Sequence, residues 1–271
     1  AQGRLVEVAP VRPQQPLLTL QPGHDDSLQV VVVASTVVGN AELQRLLASV
    51  PWAVHAVSVG RRSFWTAAKQ DLPVALRSFP PDTLVVVVDA YDMIYLPCGR
   101  DFAAEYRAYG KAVVMAAEQT CWPNANLCDS CEDRYANSSQ DLNACKAFPF
   151  VNSGGYLGTA AALAEAFDWM REQGARIGSD DQENAWHYHN AFPEKVALDH
   201  RQRIWSVMLY CDVTRFHVQD DCSVVSDYVL GPGGPGTVCF AHGNGGAKHD
   251  VLEPILRELE RKGCRQAPPS R

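Results

Sequence analysis

Four consecutive valines, residues 85–88, are followed directly by a carboxylate in the stretch VVVVDAYDMIY, residues 85–95. A short run of β-branched residues of this kind predicts a strand that is buried on both faces of a parallel sheet. Asp89 and Asp92 would then lie at the carboxyl edge of that sheet, where open α/β folds bind their ligands. Taken alone, the stretch is equally compatible with a solvated loop in which Asp92 caps a turn.

Further polar groups stand at the ends of other predicted elements. These are Glu118, the run Asn152-Ser153-Gly154-Gly155, the pair Asp180-Asp181 and the run His242-Gly243-Asn244-Gly245. Two aspartates and a histidine suit a divalent ion such as Mn²⁺ that must also hold phosphate oxygens. Such an ion would neutralise a diphosphate leaving group, although an Asp-x-x-Asp pair by itself also arises by chance.

The elements that would position these residues alternate between strand and helix. The predicted order is a strand at 28–35, a helix at 41–50, a strand at 55–60, a mixed segment at 63–79 interrupted by Pro73, the valine strand, a helix at 100–109 and a strand at 111–118. The pattern resumes with FVNSGGYLGT at 150–159, helices at 160–174 and 179–190, short strands near 195–198 and 237–240, and a helix at 250–262. This alternation is typical of a parallel sheet wound with helices.

We therefore expect a single α/β domain over residues 28–264, with an extended arm at 1–27 and a tail at 265–271. The Cys-, Asn- and Asp-rich segment 119–147 interrupts the domain. A loop of this length in a compact domain is usually functional or cross-linked.

The charge and the hydrophobic pattern of the chain argue against nucleic acid and membrane as partners. The chain has 271 residues and a net charge of −7, and it carries no Lys/Arg cluster, which argues against nucleic acid as a main partner. No apolar stretch approaches the roughly 18 residues that cross a bilayer, so we expect no membrane segment in this chain. We also find no signal peptide at Ala1, as in a mature or trimmed form.

Nine cysteines are many for a cytosolic enzyme. Cys128-Asp-Ser-Cys131 is compatible with half of a zinc site or with disulfides. The nearby Asn137-Ser138-Ser139 is a glycosylation acceptor sequence, which favours disulfides and a secretory-pathway lumen or secretion. The odd number leaves at least one thiol free or paired with another chain.

The order of the motifs resembles one family. The Asp-x-x-Asp strand is followed by AAEQTCWP, FVNSGGYLG, DDQ, LDHRQRIW and AHGNG. Over roughly residues 28–250, this series resembles the glycosyltransferase domain of the procollagen lysyl hydroxylase/glycosyltransferases and the related collagen-type galactosyltransferases. The resemblance implies a GT-A fold with a mixed, mostly parallel sheet, a UDP-sugar donor and Mn²⁺. It implies that Asp89, Asp92 and His242 bind the metal and that Tyr91 lies against the nucleotide.

The resemblance also implies roles for further residues. Donor binding would fall to Lys69, Asn152, Gly154, Gly155, Gly243, Gly245 and Lys248, and the acceptor side to Glu118 and Trp122. Lys69 is equally compatible with a solvated surface lysine, and Trp65 is more simply explained as core than as a uracil-stacking residue. Asp180 or Asp181 would accept the acceptor's hydroxyl proton or stabilise positive charge on the sugar. Their alternative is a charge pair at a helix N-terminus.

We therefore expect a metal-dependent glycosyltransferase that moves a hexose or pentose from a UDP-sugar to a hydroxyl of a protein-linked acceptor. The alternatives are a lumenal nucleotide-sugar or glycan-binding domain without turnover, and a UDP-sugar hydrolase or phosphotransferase. The sequence shows no downstream hydroxylase domain, so we expect no lysine hydroxylation. Because 119–147 replaces a shorter family segment beside the expected acceptor groove, the family's acceptor is not carried over.

Overall fold

The computed structural model describes residues 18–21, 25–34, 41–58, 71–123, 126, 128, 131, 139–177, 180–231 and 234–264. Trp65 and Lys69 lie outside these ranges, as do Asn137 and Ser138 of the glycosylation acceptor sequence. Within these ranges, no helix combines the length and the apolar character needed to cross a bilayer.

The described strands form one large sheet and two small ones. The strands are β1 (Leu18–Gln21), β2 (Asp25–Ala34), β3 (Trp52–Ser58), β4 (Leu84–Asp89), β5 (Met93–Tyr95), β6 (Val113–Glu118), β7 (Phe150–Thr159), β8 (Val196–Leu198), β9 (Trp205–Val207), β10 (Phe216–Val218), β11 (Val224–Gly231), β12 (Gly234–Thr237) and β13 (Phe240–His242). The large sheet has seven strands in the order β1-β3-β2-β4-β7-β6-β8. Since β1 and β7 run against the other five strands, the sheet is the mixed, mostly parallel type that a GT-A fold requires.

The valine strand lies in the middle of this sheet, as predicted. Val85 and Val87 pack into the apolar core on one face, and Val86 and Val88 pack into the core on the other. All four side chains are buried because helices cover both faces. The described α-helices with defined bounds at both ends are α1 (Ala41–Ser49), α2 (Phe102–Tyr109), α3 (Ser139–Ala147), α4 (Ala160–Ile177), α5 (Asp181–Ala191) and α6 (Glu253–Arg261).

Two features of the sheet differ from the sequence expectations. Leu18–Gln21, within the segment expected to be an arm, pairs antiparallel with β3 at the edge of the sheet. The strand expected at 55–60 lies earlier, at Trp52–Ser58, and the one expected near 237–240 lies later, at Phe240–His242. A strand of four residues such as β1 carries little periodicity of its own, and the ends of β3 and β13 are set by pairing with strands distant in sequence.

Four disulfides cross-link the domain, as the cysteine count predicts. Within the cysteine-rich segment, Cys121 pairs with Cys128 and Cys131 with Cys145, so both cysteines of the Cys-x-x-Cys sequence are oxidised. The other two bonds are Cys98–Cys239 and Cys222–Cys264. The ninth cysteine, Cys211, is a buried free thiol.

Candidate active site

Two carboxylates and an imidazole converge at the carboxyl end of β4. The Nε2 atom of His242 lies 3.5 Å from Oδ2 of Asp89 and 3.5 Å from Oδ1 of Asp92. One ligand atom from each of the three residues lies within 4.8 Å of the others. The structure therefore brings together the three predicted metal ligands.

A small three-stranded sheet, β5-β13-β9, makes this meeting possible. Asp89 ends β4, and Asp92 directly precedes β5, which pairs antiparallel with β13. His242 is the last residue of β13 and lies opposite Met93. The Gly243 amide also donates to the Asp92 carbonyl at 2.8 Å, which fixes the histidine strand against the turn that carries the aspartates.

Gly154 supplies the space for the cluster. It lies in β7, which pairs with β4 so that Val88 is opposite the neighbouring Gly155. A Cβ atom on Gly154 would come within 2.2 Å of Cε1 of His242 and 2.8 Å of Oδ2 of Asp89. Any residue other than glycine would therefore displace the candidate ligands, which gives Gly154 a steric role that glycine spacing alone does not reveal.

The electrostatics of the cluster fit a bound cation. Burial alone would lower the pKa of His242, but the charges of Asp92 and Asp89 outweigh that effect and raise the pKa to about 10. Burial raises the pKa of Asp89, and the nearby His242 offsets this only in part. For Asp92, burial would also raise the pKa, but the charge of His242 prevails and lowers it.

The imidazole is the clearest sign that the residues fit a metal. His242 is only 2% exposed, and neither ring nitrogen has a well-formed hydrogen bond with any group in the described ranges. A buried polar atom without a partner is costly, and an ion bound between the ring and the two carboxylates would satisfy it. Mn²⁺ accepts both imidazole and carboxylate ligands. Binding would have to displace the proton that His242 otherwise holds.

The two consecutive aspartates at the start of α5 have different environments. Asp180 is the N-cap, and its Oδ1 accepts from the Glu183 amide at 3.0 Å. Asp181 has its pKa raised to about 7, chiefly by burial and further by the charge of Asp89, while a hydrogen bond with Ser153 works in the opposite direction. The structure therefore separates a helix cap from a carboxyl group close to the metal cluster.

Glu118, predicted on the acceptor side, is buried at the centre of a polar network. Its exposure is 2%, and its carboxylate accepts hydrogen bonds from the side-chain amides of Gln182 and Asn244, the latter at 3.0 Å. The Gln182 carbonyl lies 3.3 Å from the Ser153 amide. Burial raises the pKa of Glu118, and these hydrogen bonds oppose the increase. Glu118 thus connects α5, β7 and the loop after His242.

Tyr91 and Lys248, two of the residues predicted to contact the nucleotide-sugar donor, lie beside Asp92. Tyr91, Asp92 and Lys248 line one small hollow beside Glu42, whose Oε1 accepts from Nζ of Lys248 at 3.1 Å. Lys248 also helps to lower the pKa of Asp92. A Cβ on Gly243 would lie 2.9 Å from the Lys248 Cα, so this glycine allows the two segments to pack closely.

Two other predicted positions have local structural reasons. Gly245 has φ +57°, in the left-handed region that favours glycine. The Asn152 side chain accepts from the Gly154 amide at 3.0 Å and so holds the glycine strand next to the cluster. Trp122, predicted with Glu118 on the acceptor side, is 58% exposed on the loop after β6.

The LDHRQRIW motif builds a turn whose role the sequence does not reveal. The buried Asp199 carboxylate accepts from the backbone amides of Arg203, Ile204 and Trp205 at 2.7–3.0 Å. Gln202, with φ 54°, donates to the Ala117 carbonyl and accepts from Val207. Trp205 is thereby held close to Gly155, where an added Cβ would lie 2.5 Å from the indole nitrogen. The motif therefore holds Trp205 against the strand that carries Gly154 and Gly155, next to the metal cluster.

A known protein family matches the part of the chain that forms this site. The family model of the PLOD GT domain matches residues 72–253, about two thirds of the chain. The chain belongs to this family. The match includes Asp89 and Asp92, the strand β7 with Gly154 and Gly155, the turn at Asp199, and His242. The protein therefore carries a glycosyltransferase domain, and the family resemblance predicted from the motifs is confirmed.

The two protein relatives are distant, and the matched residues span only 35% and 10% of their lengths. An uncharacterized protein of Acanthamoeba polyphaga mimivirus is 28% identical over 182 residues, which are 66% of this chain and 35% of that protein. Procollagen-lysine,2-oxoglutarate 5-dioxygenase of Drosophila melanogaster is 29% identical over 80 residues, which are 30% of this chain and 10% of that protein. Among solved structures, mouse xyloside xylosyltransferase 1 in its apo form covers 80% of this chain and 97% of its own, with a TM-score of 0.46 and 14% identity.

Proposed function

We propose that this glycosyltransferase domain uses a UDP-sugar donor and a bound divalent ion such as Mn²⁺, and transfers a hexose or pentose to a hydroxyl of a protein-linked acceptor. The observation that carries the proposal is the Asp89–Asp92–His242 cluster at the carboxyl end of β4. Open α/β folds bind their ligands at the carboxyl edge of the sheet, where this cluster lies. Carboxylate and imidazole donors suit an ion that also binds phosphate oxygens.

The residues around the cluster support a diphosphate leaving group. When bound, the ion supplies positive charge that stabilises the developing charge on that group. Lys248 lies close enough to Asp92 to influence its pKa, so its ammonium would add to the positive potential there. Tyr91 shares the same hollow and would contact the nucleotide. Gly154 and Gly155 would support the donor site indirectly, because their missing side chains leave the space that His242 and Trp205 occupy.

Asp181 is the better candidate of the two aspartates for a direct role in transfer. Asp180 is occupied as the N-cap of α5, whereas Asp181 is close enough to Asp89 for its charge to matter. A carboxyl group with a pKa of about 7 is well matched to proton transfer near neutral pH. In this proposal Asp181 takes the proton from the acceptor hydroxyl or stabilises positive charge on the sugar.

The disulfides indicate the cellular compartment in which the protein works. Four disulfides in a chain of this family fit a lumenal or secreted protein, because disulfides persist in oxidising compartments. We therefore propose the secretory pathway or the cell exterior as the place where a protein or glycoprotein acceptor is met.

The experiment measures UDP release from UDP-glucose, UDP-galactose, UDP-xylose and UDP-arabinose in chelator-treated buffer, with and without added Mn²⁺. We expect release from at least one donor to require the ion. Asp92→Asn should lower that release by about 10²-fold or more, because the metal loses a charged ligand. Asp220→Asn is the matched control, since Asp220 is fully exposed and should leave release unchanged.

The alternative functions give different results. Binding of a UDP-sugar without any UDP release would indicate a nucleotide-sugar-binding domain. Release that yields only free sugar with every acceptor offered would indicate a hydrolase. Full activity of Asp92→Asn in chelator-treated buffer would overturn the metal-dependent mechanism.

A further inference from the structure

A cavity of about 620 Å³ lies at the edge of the large sheet. It contacts all three residues of β8 (Val196–Leu198), the strand that ends the order β4-β7-β6-β8. Three strand spacings, roughly 14 Å, therefore separate it from β4 and its Asp89. None of the described residues that line it belongs to the metal, donor or acceptor positions predicted from the sequence. Its volume is that of a ligand site, which typically measures about 300–1,000 Å³.

The cavity follows the backbone of β8 and lies between the two layers of helices. Successive side chains of a strand point to opposite faces of the sheet, so a space that touches three consecutive residues runs along the strand's edge. One wall includes Tyr109 of α2, which packs on the apolar core that contains Val86 and Val88. The other wall includes His189 of α5, whose neighbour Tyr188 belongs to the core of the opposite face. The cavity is thus a groove beside the edge strand, and we call it the β8 groove.

Part of the β8 backbone faces the β8 groove. The Lys195 carbonyl accepts a hydrogen bond from β6 at 3.0 Å, and the Asp199 amide donates one to β6 at 2.8 Å. Backbone groups alternate in direction along a strand, so those of Val196 and Leu198 point away from β6. The Val196 amide donates to the Phe192 carbonyl at 3.1 Å. The Val196 carbonyl and the amide and carbonyl of Leu198 are therefore the groups on the groove side.

The β8 groove is positively charged, although the whole chain has a net charge of −7. Three cationic side chains line it, those of Lys111, Arg201 and Arg203, together with one carboxylate, that of Glu105. Arg203 pairs with Glu105, so the remaining two positive charges are those of Lys111 and Arg201. The Lys111 ammonium lies before the start of β8, where it donates to the Pro193 carbonyl at 3.1 Å, and Arg201 follows the end of the strand by three residues. A ligand that lies along β8 would therefore meet a cation at each end.

We propose that the β8 groove binds an extended acidic segment of a partner polypeptide, which pairs with β8 as an added strand. The inference concerns an interaction surface and does not depend on the sugar-transfer reaction. A peptide strand repeats its donors and acceptors at the spacing of β8, and main-chain bonds of this kind supply the affinity in strand addition. Carboxylates at both ends of the segment complement Lys111 and Arg201 and fix its position. A polyanion without a peptide backbone would match the charge alone.

The test titrates the full chain by calorimetry with the peptide acetyl-Glu-Val-Glu-Val-Glu-amide. Two further peptides separate charge from strand pairing. One has lysine in place of glutamate, and the other has proline in place of valine, which keeps the charge but prevents strand pairing. The protein variants are Lys111→Gln and Arg201→Gln, and Arg257→Gln on α6 is the matched control, because it removes an exposed arginine outside the groove. Hydrogen exchange of the Leu198 amide reports where the peptide binds.

We expect the acidic valine peptide to bind about tenfold more tightly than either control peptide, and to slow exchange of the Leu198 amide. Lys111→Gln and Arg201→Gln should each weaken binding by about two- to fivefold, because each removes one charge pair, and Arg257→Gln should not change it. Melting curves check that the variants fold. If Arg201→Gln does not fold, Lys111→Gln and the exchange of Leu198 decide the question.

Three results would overturn the inference. Equal binding of the proline peptide would exclude strand pairing. Tighter binding of a heparin tetrasaccharide, with no effect on Leu198 exchange, would make the groove a general polyanion site. Concentration-dependent dimerisation that protects the Leu198 amide without peptide would show that a second copy of the chain occupies the edge of β8.

Discussion

At the scale of single residues, the two aspartates at the start of α5 make a sharp contrast. Asp180→Ala should lower the free energy of unfolding by about 0.5–2 kcal/mol, because the helix loses its N-cap bond. Asp181→Asn should leave the helix intact and lower sugar transfer by about 10²- to 10⁴-fold. Donor affinity, turnover and melting temperature of both variants are the measurements. Transfer at the original rate in Asp181→Asn would remove this residue from the mechanism.

The raised pKa of Asp181 predicts a pH signature in chelator-treated protein. A carboxyl group at about 7 in the folded state and 3.8 when unfolded binds more protons when folded, so it destabilises the fold as pH rises through that interval. Asp181→Asn should therefore melt higher than the unaltered protein above pH 7 and at the same temperature below pH 4. Parallel melting curves across this range would contradict the assignment.

The steric role of Gly154 gives a second test at the residue scale. In Gly154→Ala the new methyl group would occupy space held by His242 and Asp89, so we expect Mn²⁺ affinity to fall by more than about tenfold. Gly231→Ala is a suitable control, because among the described residues its added Cβ would meet a single atom, at 3.6 Å. Calorimetric titration with Mn²⁺ measures both. Unchanged affinity in Gly154→Ala would show that the cluster does not bind the ion as arranged.

At the scale of elements, the Asp199 turn positions several parts of the site. Its carboxylate accepts three backbone amides and the Tyr109 hydroxyl in a fully buried setting. Asp199→Asn puts a donor where an acceptor is needed, so we expect a loss of about 2–3 kcal/mol in the free energy of unfolding. Asp212 caps an exposed turn through the Thr214 amide, and Asp212→Asn should change stability much less. Chemical denaturation distinguishes the two, and equal losses would contradict this role.

Elements also differ in how far the sequence predicts them. The buried valine strand is predicted from its own residues, because four consecutive β-branched residues are typical of a strand buried on both faces, whereas the aspartates after it are equally compatible with a solvated loop. His242 is different, since it reaches Asp89 only through the pairing of β13 with β5. That contact joins segments about 150 residues apart, and no local pattern encodes it. Its position followed from the family resemblance.

The same limit applies to the buried polar groups. Glu118 ends a fully buried strand, and only the folded structure shows that its carboxylate is enclosed by the Gln182 and Asn244 amides. Likewise, Asp180 and Asp181 look equivalent in the sequence. Their roles differ because Asp180, the N-cap residue, turns its side chain back to the first amides of the helix. Asp181, the first helical residue, is instead buried close enough to Asp89 to be affected by its charge.

At the scale of the whole molecule, the long-range disulfides predict how stability and metal binding are coupled. Cys98–Cys239 joins residues 141 apart, and both ends adjoin the small sheet that contains His242 and begins directly after Asp92. Cys222–Cys264 joins residues 42 apart and attaches the segment after α6 near β11. The first bond therefore restrains the site directly, whereas the second restrains the chain elsewhere.

We expect both pairs to stabilise the fold but only one to affect the metal cluster. Replacing both cysteines of either pair by alanine should lower the free energy of unfolding by about 2–5 kcal/mol, because the unfolded chain regains conformational freedom. Only the Cys98→Ala/Cys239→Ala variant should also bind Mn²⁺ more weakly, since β5 and β13 then lose their covalent tie. Denaturation and Mn²⁺ titration of both double variants measure this. Equal Mn²⁺ affinity in the two would show that backbone pairing between β5 and β13 suffices to hold the ligands.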